Sequence, residues 1–153
     1  MNVKHLAIAA VAAFGLLQGV ASAQVSVKVE SNIPFPFVVG DTSLPAGKYI
    51  VETIMRGEIE VHDLDGKHAV VHSVEGANVR SSAAKTELIF NRYGDREFLS
   101  AVYVAGDTAG VQLVQSKLEK ELLGKGEKAV RHSHPGVLHK MMSRTGKPKK
   151  GSS

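Results

Sequence analysis

Val25-Ser26-Val27-Lys28-Val29-Glu30-Ser31-Asn32-Ile33-Pro34-Phe35-Pro36-Phe37-Val38-Val39 is the stretch that decides the fold. Its first half alternates valine with polar residues, and successive side chains of a pleated strand point to opposite faces with the same period of two. One face is therefore apolar and the other wet, as a strand laid over a core requires. In the second half Pro34 and Pro36 stand two apart, so their missing N–H groups fall on one side of the chain. That side cannot donate to a ladder, which predicts a strand over Ile33 to Val39 at a sheet edge.

Downstream, strand signals return every 8 to 12 residues, the spacing of a sandwich or barrel. Gly40-Asp41 and Leu44-Pro45-Ala46-Gly47 are turn chemistry. Lys48 to Ile54 then sets Tyr49 and Val51 on one face and Ile50 and Ile54 on the other. Arg56-Gly57 leads into the alternating Glu58-Ile59-Glu60-Val61-His62-Asp63, and Asp65-Gly66 is a hairpin signal before Lys67 to Val74. Residues 76 to 85 are small and polar and read as a long loop. Thr86 to Tyr93 and Glu97 to Val104 flank Gly94-Asp95, a second hairpin that sets Arg92 opposite Glu97. A turn at 106–110 precedes the short strand Val111 to Val114. The predicted fold is all-β: an antiparallel sandwich or small barrel of about seven to eight short strands.

The period changes once. Ser116-Lys117-Leu118-Glu119 has the form of a capping box, Leu118 and Leu122 share a helical face, and Gly124 stands where a terminating glycine belongs. One short helix is expected over 117–123. Beyond it Lys, His, Gly and Ser take over, which predicts a disordered tail over 124–153.

Residues 1–23 read as a signal peptide. Lys4 and His5 open it, Leu6 to Val20 carry no charge, and Ala21-Ser22-Ala23 has the small-x-small form cut by signal peptidase. The apolar run is shorter than the ~20 residues of a spanning helix, so no transmembrane segment is expected after cleavage. The mature chain is then expected in the periplasm or secreted. It contains no cysteine, which removes thiol catalysis, cysteine-ligated zinc and iron–sulfur chemistry, and leaves burial alone to stabilise an exported domain. Charge is unevenly placed: residues 24–123 carry a formal −4 and residues 124–153 carry +7.

Asn32-Ile33-Pro34-Phe35-Pro36-Phe37-Val38-Val39-Gly40, Leu44-Pro45-Ala46-Gly47-Lys48-Tyr49, Leu88 to Leu99 with its Arg92-Tyr93-Gly94-Asp95-Arg96-Glu97 centre, and Ser116-Lys117-Leu118-Glu119 follow one another in the chain. This pattern resembles a family of small exported, uncharacterised bacterial all-β proteins. The likeness spans about residues 24–123. It implies export and a compact β domain, and brings no activity and no site residue with it. The basic, histidine-bearing tail lies outside the shared pattern.

Candidate chemistry is sparse. His62, His68 and His72 fall in one predicted hairpin, but the Asp65-Gly66 turn sets His68 opposite Asp63 and His72 opposite Ile59, with His62 on the other face. They do not meet at one ion in that register. His132-Ser133-His134, with His139 beyond, is the better metal candidate, since flexible His-x-His segments bind copper, nickel or zinc. Asp63-Leu64-Asp65-Gly66 departs from a calcium loop, with Lys67 and Val74 at ligand positions. Asp41, Asp95 and Asp107 form an acid/base set only if their turns converge. No nucleophile elbow, phosphate loop, dinucleotide fingerprint or H-E-x-x-H occurs. No cofactor and no catalytic residue is therefore expected.

The expected function is that of a non-enzymatic extracytoplasmic binding or interaction protein, its basic tail contacting an anionic envelope polymer or a protein partner, without sequence-specific nucleic-acid binding. Two alternatives stand beside it: a metal-binding protein using His132, His134 and His139, and an enzyme built on the turn aspartates.

Overall fold

Val27 and Val29 are fully buried while Lys28 and Glu30 are half-exposed, so the alternation that opens the chain does define a strand. In a computed structural model of the protein, residues 27–78 and 83–139 are described. The first strand, β1, runs Lys28–Ile33. Pro34 and Pro36 do not lie in an edge strand as expected. They interrupt the chain between β1 and the three-residue β2, Phe37–Val39, because two missing N–H groups in three residues leave too little ladder to pair.

After β2 come β3 (Thr42–Leu44), β4 (Gly47–Met55), β5 (Glu58–Asp63), β6 (Ala69–Asn78), β7 (Glu87–Tyr93), β8 (Arg96–Tyr103) and β9 (Ala109–Leu113). Helix α1 follows at Lys117–Gly124, then β10 (Val130–Pro135) and β11 (Val137–Leu138). The hydrogen-bonded path is β10-β7-β8-β9-β6-β5-β4-β1-β11, with β2 pairing β3 and, in parallel, β8. The described residues form an all-β sandwich-like structure with one short helix, and the sheet does not close into a barrel. Among the described residues no helix is long and apolar enough to cross a membrane.

Two crossings join the sheets. The first half of β6 pairs with β5, and its second half, Val74 to Asn78, pairs with β9. The expected loop at 76–85 is thus strand up to Asn78. On the opposite side β10 pairs with β7 and β11 pairs with β1, so nine consecutive residues step from one sheet to the other. A disordered tail from Gly124 is corrected over this stretch. His132 and His134 alternate with Arg131 and Ser133, and that period of two lets polar rings face the protein where the expected signal was an apolar residue. The remainder of the predicted tail, 140–153, lies outside the described residues, as does the 1–26 stretch that holds the signal-peptide reading.

Between the sheets, Phe37 meets Tyr49 and Phe90 edge-on at centroid distances of 5.0 and 5.8 Å, over a floor of Val29, Val51, Ile59, Val61 and Leu88 with no exposed surface. A second apolar cluster, Val38, Tyr93 and Phe98, receives Leu118 and Leu122 from α1. Each of those partly buried leucines contributes on the order of 1 kcal/mol. Ser116 Oγ accepts from the Glu119 N–H at 3.1 Å, the first half of the expected capping box. The carboxylate of Glu119, however, turns to β7, where Oε1 accepts from Tyr93 Oη at 2.9 Å and from Asn91 Nδ2 at 3.2 Å. Gly126, at φ +84°, and not Gly124, supplies the left-handed residue that ends the helix.

Candidate functional site

The three histidines singled out in the tail sit on the crossing. Those of β10 turn inward because their neighbours Arg131 and Ser133 take the solvent face. The His132 ring lies parallel to Phe90 at 5.8 Å and edge-on to Phe35 at 5.7 Å, and Phe35 meets His134 at 5.9 Å. His132 Nε2 is 2.6 Å from the buried Glu97 carboxylate of β8. The register pairs Glu97 with Arg92 as expected, yet its carboxylate is held by His132. His134 Nε2 donates to the Asn32 carbonyl at 2.7 Å, and His139 Nε2 is 2.5 Å from Glu30 Oε2.

Three histidines therefore reach three different partners on two strands, Glu97 on β8 and Asn32 and Glu30 on β1. Among the described residues the three do not fall in one cluster of potential ligands, and the Nε2 of each faces a protein oxygen. Bonds to backbone carbonyls complete the crossing: Ser31 Oγ donates to that of Pro135, the Gly136 N–H to that of Thr86, and the His139 N–H to that of Lys28. At Gly136 an added Cβ would lie 2.5 Å from Val29 Cγ1 and 3.1 Å from Leu88 Cδ1. The chain thus passes directly over core side chains at the point where it changes sheets.

The predicted β5–β6 register holds. Ile59 faces His72, and the Asp63 N–H donates to the His68 carbonyl. His68 Nδ1 is 2.8 Å from Asp63 Oδ2, and His72 Nε2 donates to the Val114 carbonyl at 2.7 Å. The His68 hydrogen bond, joined by backbone N–H groups of His68 and Lys67, holds the Asp63 carboxyl below its ordinary range. The turn aspartates do not converge: Asp95 and Asp107 lie beyond opposite ends of β8, and Asp41 Oδ1 accepts from the Leu118 N–H in the first turn of α1.

His62 occupies the outer face of β5, as the parity argument requires, but with neighbours that the sequence reading missed. A bulge at Ile54 shifts the β4–β5 register, so Glu52 stands directly opposite Glu60 and Val51 opposite Val61. Ligand atoms of Glu52, Glu60 and His62 all lie within 4.8 Å of one another, and all three side chains are half-buried. Glu52 Oε1 is 3.2 Å from His62 Nε2, while Oε2 pairs with Lys28 Nζ at 2.9 Å. The Lys28 hydrogen bond, followed by that of His62, keeps the Glu52 carboxyl below its usual range against the opposing effect of burial.

Comparison with protein-family models, with curated proteins and with solved structures finds no match.

Proposed function

We propose that this chain is an extracytoplasmic, non-enzymatic interaction protein whose sandwich presents a basic C-terminal segment to an anionic surface. The observation that carries the reading is the position of the charge boundary. Residues 24–139, through the end of the sheet crossing, hold 13 Lys and Arg against 15 Asp and Glu, and residues 140–153 hold five Lys and Arg with no acid. The body is close to neutral and the cations are concentrated in one short segment. That segment begins directly after His139, which is tied to Lys28 and Glu30 of β1. The leader-like residues 1–23 support an envelope or extracellular setting, where phosphate-rich polymers and lipid head groups supply the anionic partner.

Each Lys or Arg near an anionic membrane surface contributes about 1 kcal/mol at modest ionic strength, and the attraction fades within a Debye length. Five such residues give on the order of 5 kcal/mol, enough for salt-sensitive retention. The test is co-sedimentation of the full chain with phosphatidylglycerol-containing vesicles across a salt series. It is repeated with Lys140, Arg144, Lys147, Lys149 and Lys150 all changed to Gln. Retention by the unmodified chain at low salt, lost in the Gln variant, is the expected result. Equal retention of both proteins removes the segment from the account, and no retention of either removes the anionic lipid surface.

A further inference from the structure

We propose that Glu52, Glu60 and His62, on the outer face of β4 and β5, form a zinc site. This is independent of the basic segment and adds a cation ligand to a body otherwise read as a display platform.

Opposed carboxylates on neighbouring strands repel, and Glu52 and Glu60 are directly opposed. Lys28, across from Glu52 on β1, neutralises one oxygen of one of them. The other oxygen, Glu52 Oε1, faces His62 Nε2. His62 Nδ1 meanwhile faces the carbonyl oxygen of Asp63 at 3.1 Å. Both ring nitrogens thus look at acceptors. A neutral imidazole carries one N–H, so either tautomer leaves one nitrogen lone pair directed at an oxygen lone pair. When Nδ1 donates to the carbonyl, the tautomer is fixed and Nε2 presents its lone pair toward the two carboxylates. That is the arrangement by which a backbone carbonyl orients a metal-bound histidine. A cation between Nε2 and the carboxylates resolves the conflict, and it can be a second proton on the ring or a metal ion.

Geometry and chemistry favour zinc among metals. An ion ~2.1 Å from each of its donors in a tetrahedron separates those donors by roughly 3.4 Å. Glu52 Oε1 and His62 Nε2 already stand 3.2 Å apart, and a ligand atom from each of Glu52, Glu60 and His62 lies within 4.8 Å of the other two. One imidazole and two carboxylates are a donor set for borderline zinc, whereas calcium and magnesium take oxygen ligands throughout. Two carboxylates balance a divalent charge. Lys28 stays on Glu52 Oε2 and orients it, and Ile50 and Ala69, the cross-strand neighbours of His62, give the site an apolar flank. Three protein ligands leave the fourth position to water or to a partner's donor group.

The experiment is calorimetric titration of zinc chloride into the full chain in a non-chelating buffer near neutral pH. The same titration follows on Glu60→Gln and His62→Ala, with circular dichroism to verify that each is folded. The site predicts one zinc per chain and at least about a tenfold loss of affinity in each variant, with the His62 ring-proton signals moving on zinc addition and those of His132 and His134 staying in place. Glu60→Gln alters a side chain on the solvent face, so it decides the matter even should His62→Ala unfold. Absence of saturable zinc binding in the unmodified chain overturns the proposal. So does binding that survives Glu60→Gln undiminished.

Discussion

Replacing Tyr93 by Phe tests how the helix is locked to the sandwich. The ring of Tyr93 packs edge-on against Phe98 at 5.6 Å, and phenylalanine retains that contact. What is removed is the 2.9 Å hydrogen bond from the phenol to Glu119 Oε1, inside a site where both residues are buried. A hydrogen bond to a charged acceptor contributes about 1.5–3 kcal/mol, and the stranded carboxylate keeps Asn91 as a donor on that oxygen. The variant should therefore lose about 2 kcal/mol at neutral pH. Burial, reinforced by the neighbouring Glu119 carboxylate, pushes the Tyr93 phenol up from its ordinary 10.0 to about 12.

Because the folded protein holds this proton more tightly than the unfolded chain, the stabilisation is complete below pH 10 and drains away as pH rises from 10 through 12. Two units correspond to about 3 kcal/mol, the same size as the hydrogen bond that the mutation deletes. Urea unfolding followed by far-ultraviolet circular dichroism, run on both proteins from neutral pH to about pH 12, reads both quantities. Other alkaline titrations occur in both proteins and cancel in the difference. The gap between wild type and variant should be widest below pH 10 and narrow towards zero near pH 12. A gap under about 0.5 kcal/mol at neutral pH, or one that stays constant through the alkaline range, refutes the reasoning.

At the sheet crossing, Gly136→Ala forces a methyl against Val29 and Leu88, neither of which has exposed surface. Thermal melts should show a loss of about 1–3 kcal/mol, whereas Gly76→Ala, with nothing within 4 Å of the new methyl, should be neutral or slightly stabilising. In the β5–β6 hairpin, His68→Ala removes the strongest of the interactions that lower the Asp63 carboxyl. Carbon-detected NMR titration should show the Asp63 midpoint moving upward, and an unmoved midpoint would mean that the backbone donors alone set it.

Much of the sandwich was legible because its signals are local. Val27 and Val29, Tyr49 and Val51, Ile59 and Val61 all face the core with the parity their spacing gives, and the Asp65-Gly66 and Gly94-Asp95 turns deliver the registers read from them. The Glu52–Glu60 juxtaposition was also written in the chain, one inference deeper. A plain two-residue turn at Arg56-Gly57 sets Glu52 opposite Val61, a carboxylate facing a core valine. Both strands can bury their valines only if one residue is looped out, which the bulge at Ile54 does. What could not be read locally was β10. Its inward residues are histidines, so no apolar alternation announces it, and their partners Glu97 and Asn32 lie 35 and 102 residues away along the chain, as Glu30 lies 109 from His139.

Those distant partners also bring the two proposals onto one surface. His139, where the basic segment begins, bonds to β1 beside Lys28, and Lys28 reaches across to Glu52 at the edge of the proposed zinc site. The outer face of β1, β4 and β5 carries Glu30, Glu52, Glu58 and Glu60 beside Lys28 and Lys48, so it is net acidic next to His139. The two readings nonetheless stand or fall separately. Gln replacements between 140 and 150 leave the three zinc donors in place, and changing Glu60 leaves all five of the segment's cations. A protein that binds zinc without anionic vesicles, or vesicles without zinc, would show which of the two chemistries this face was built to serve.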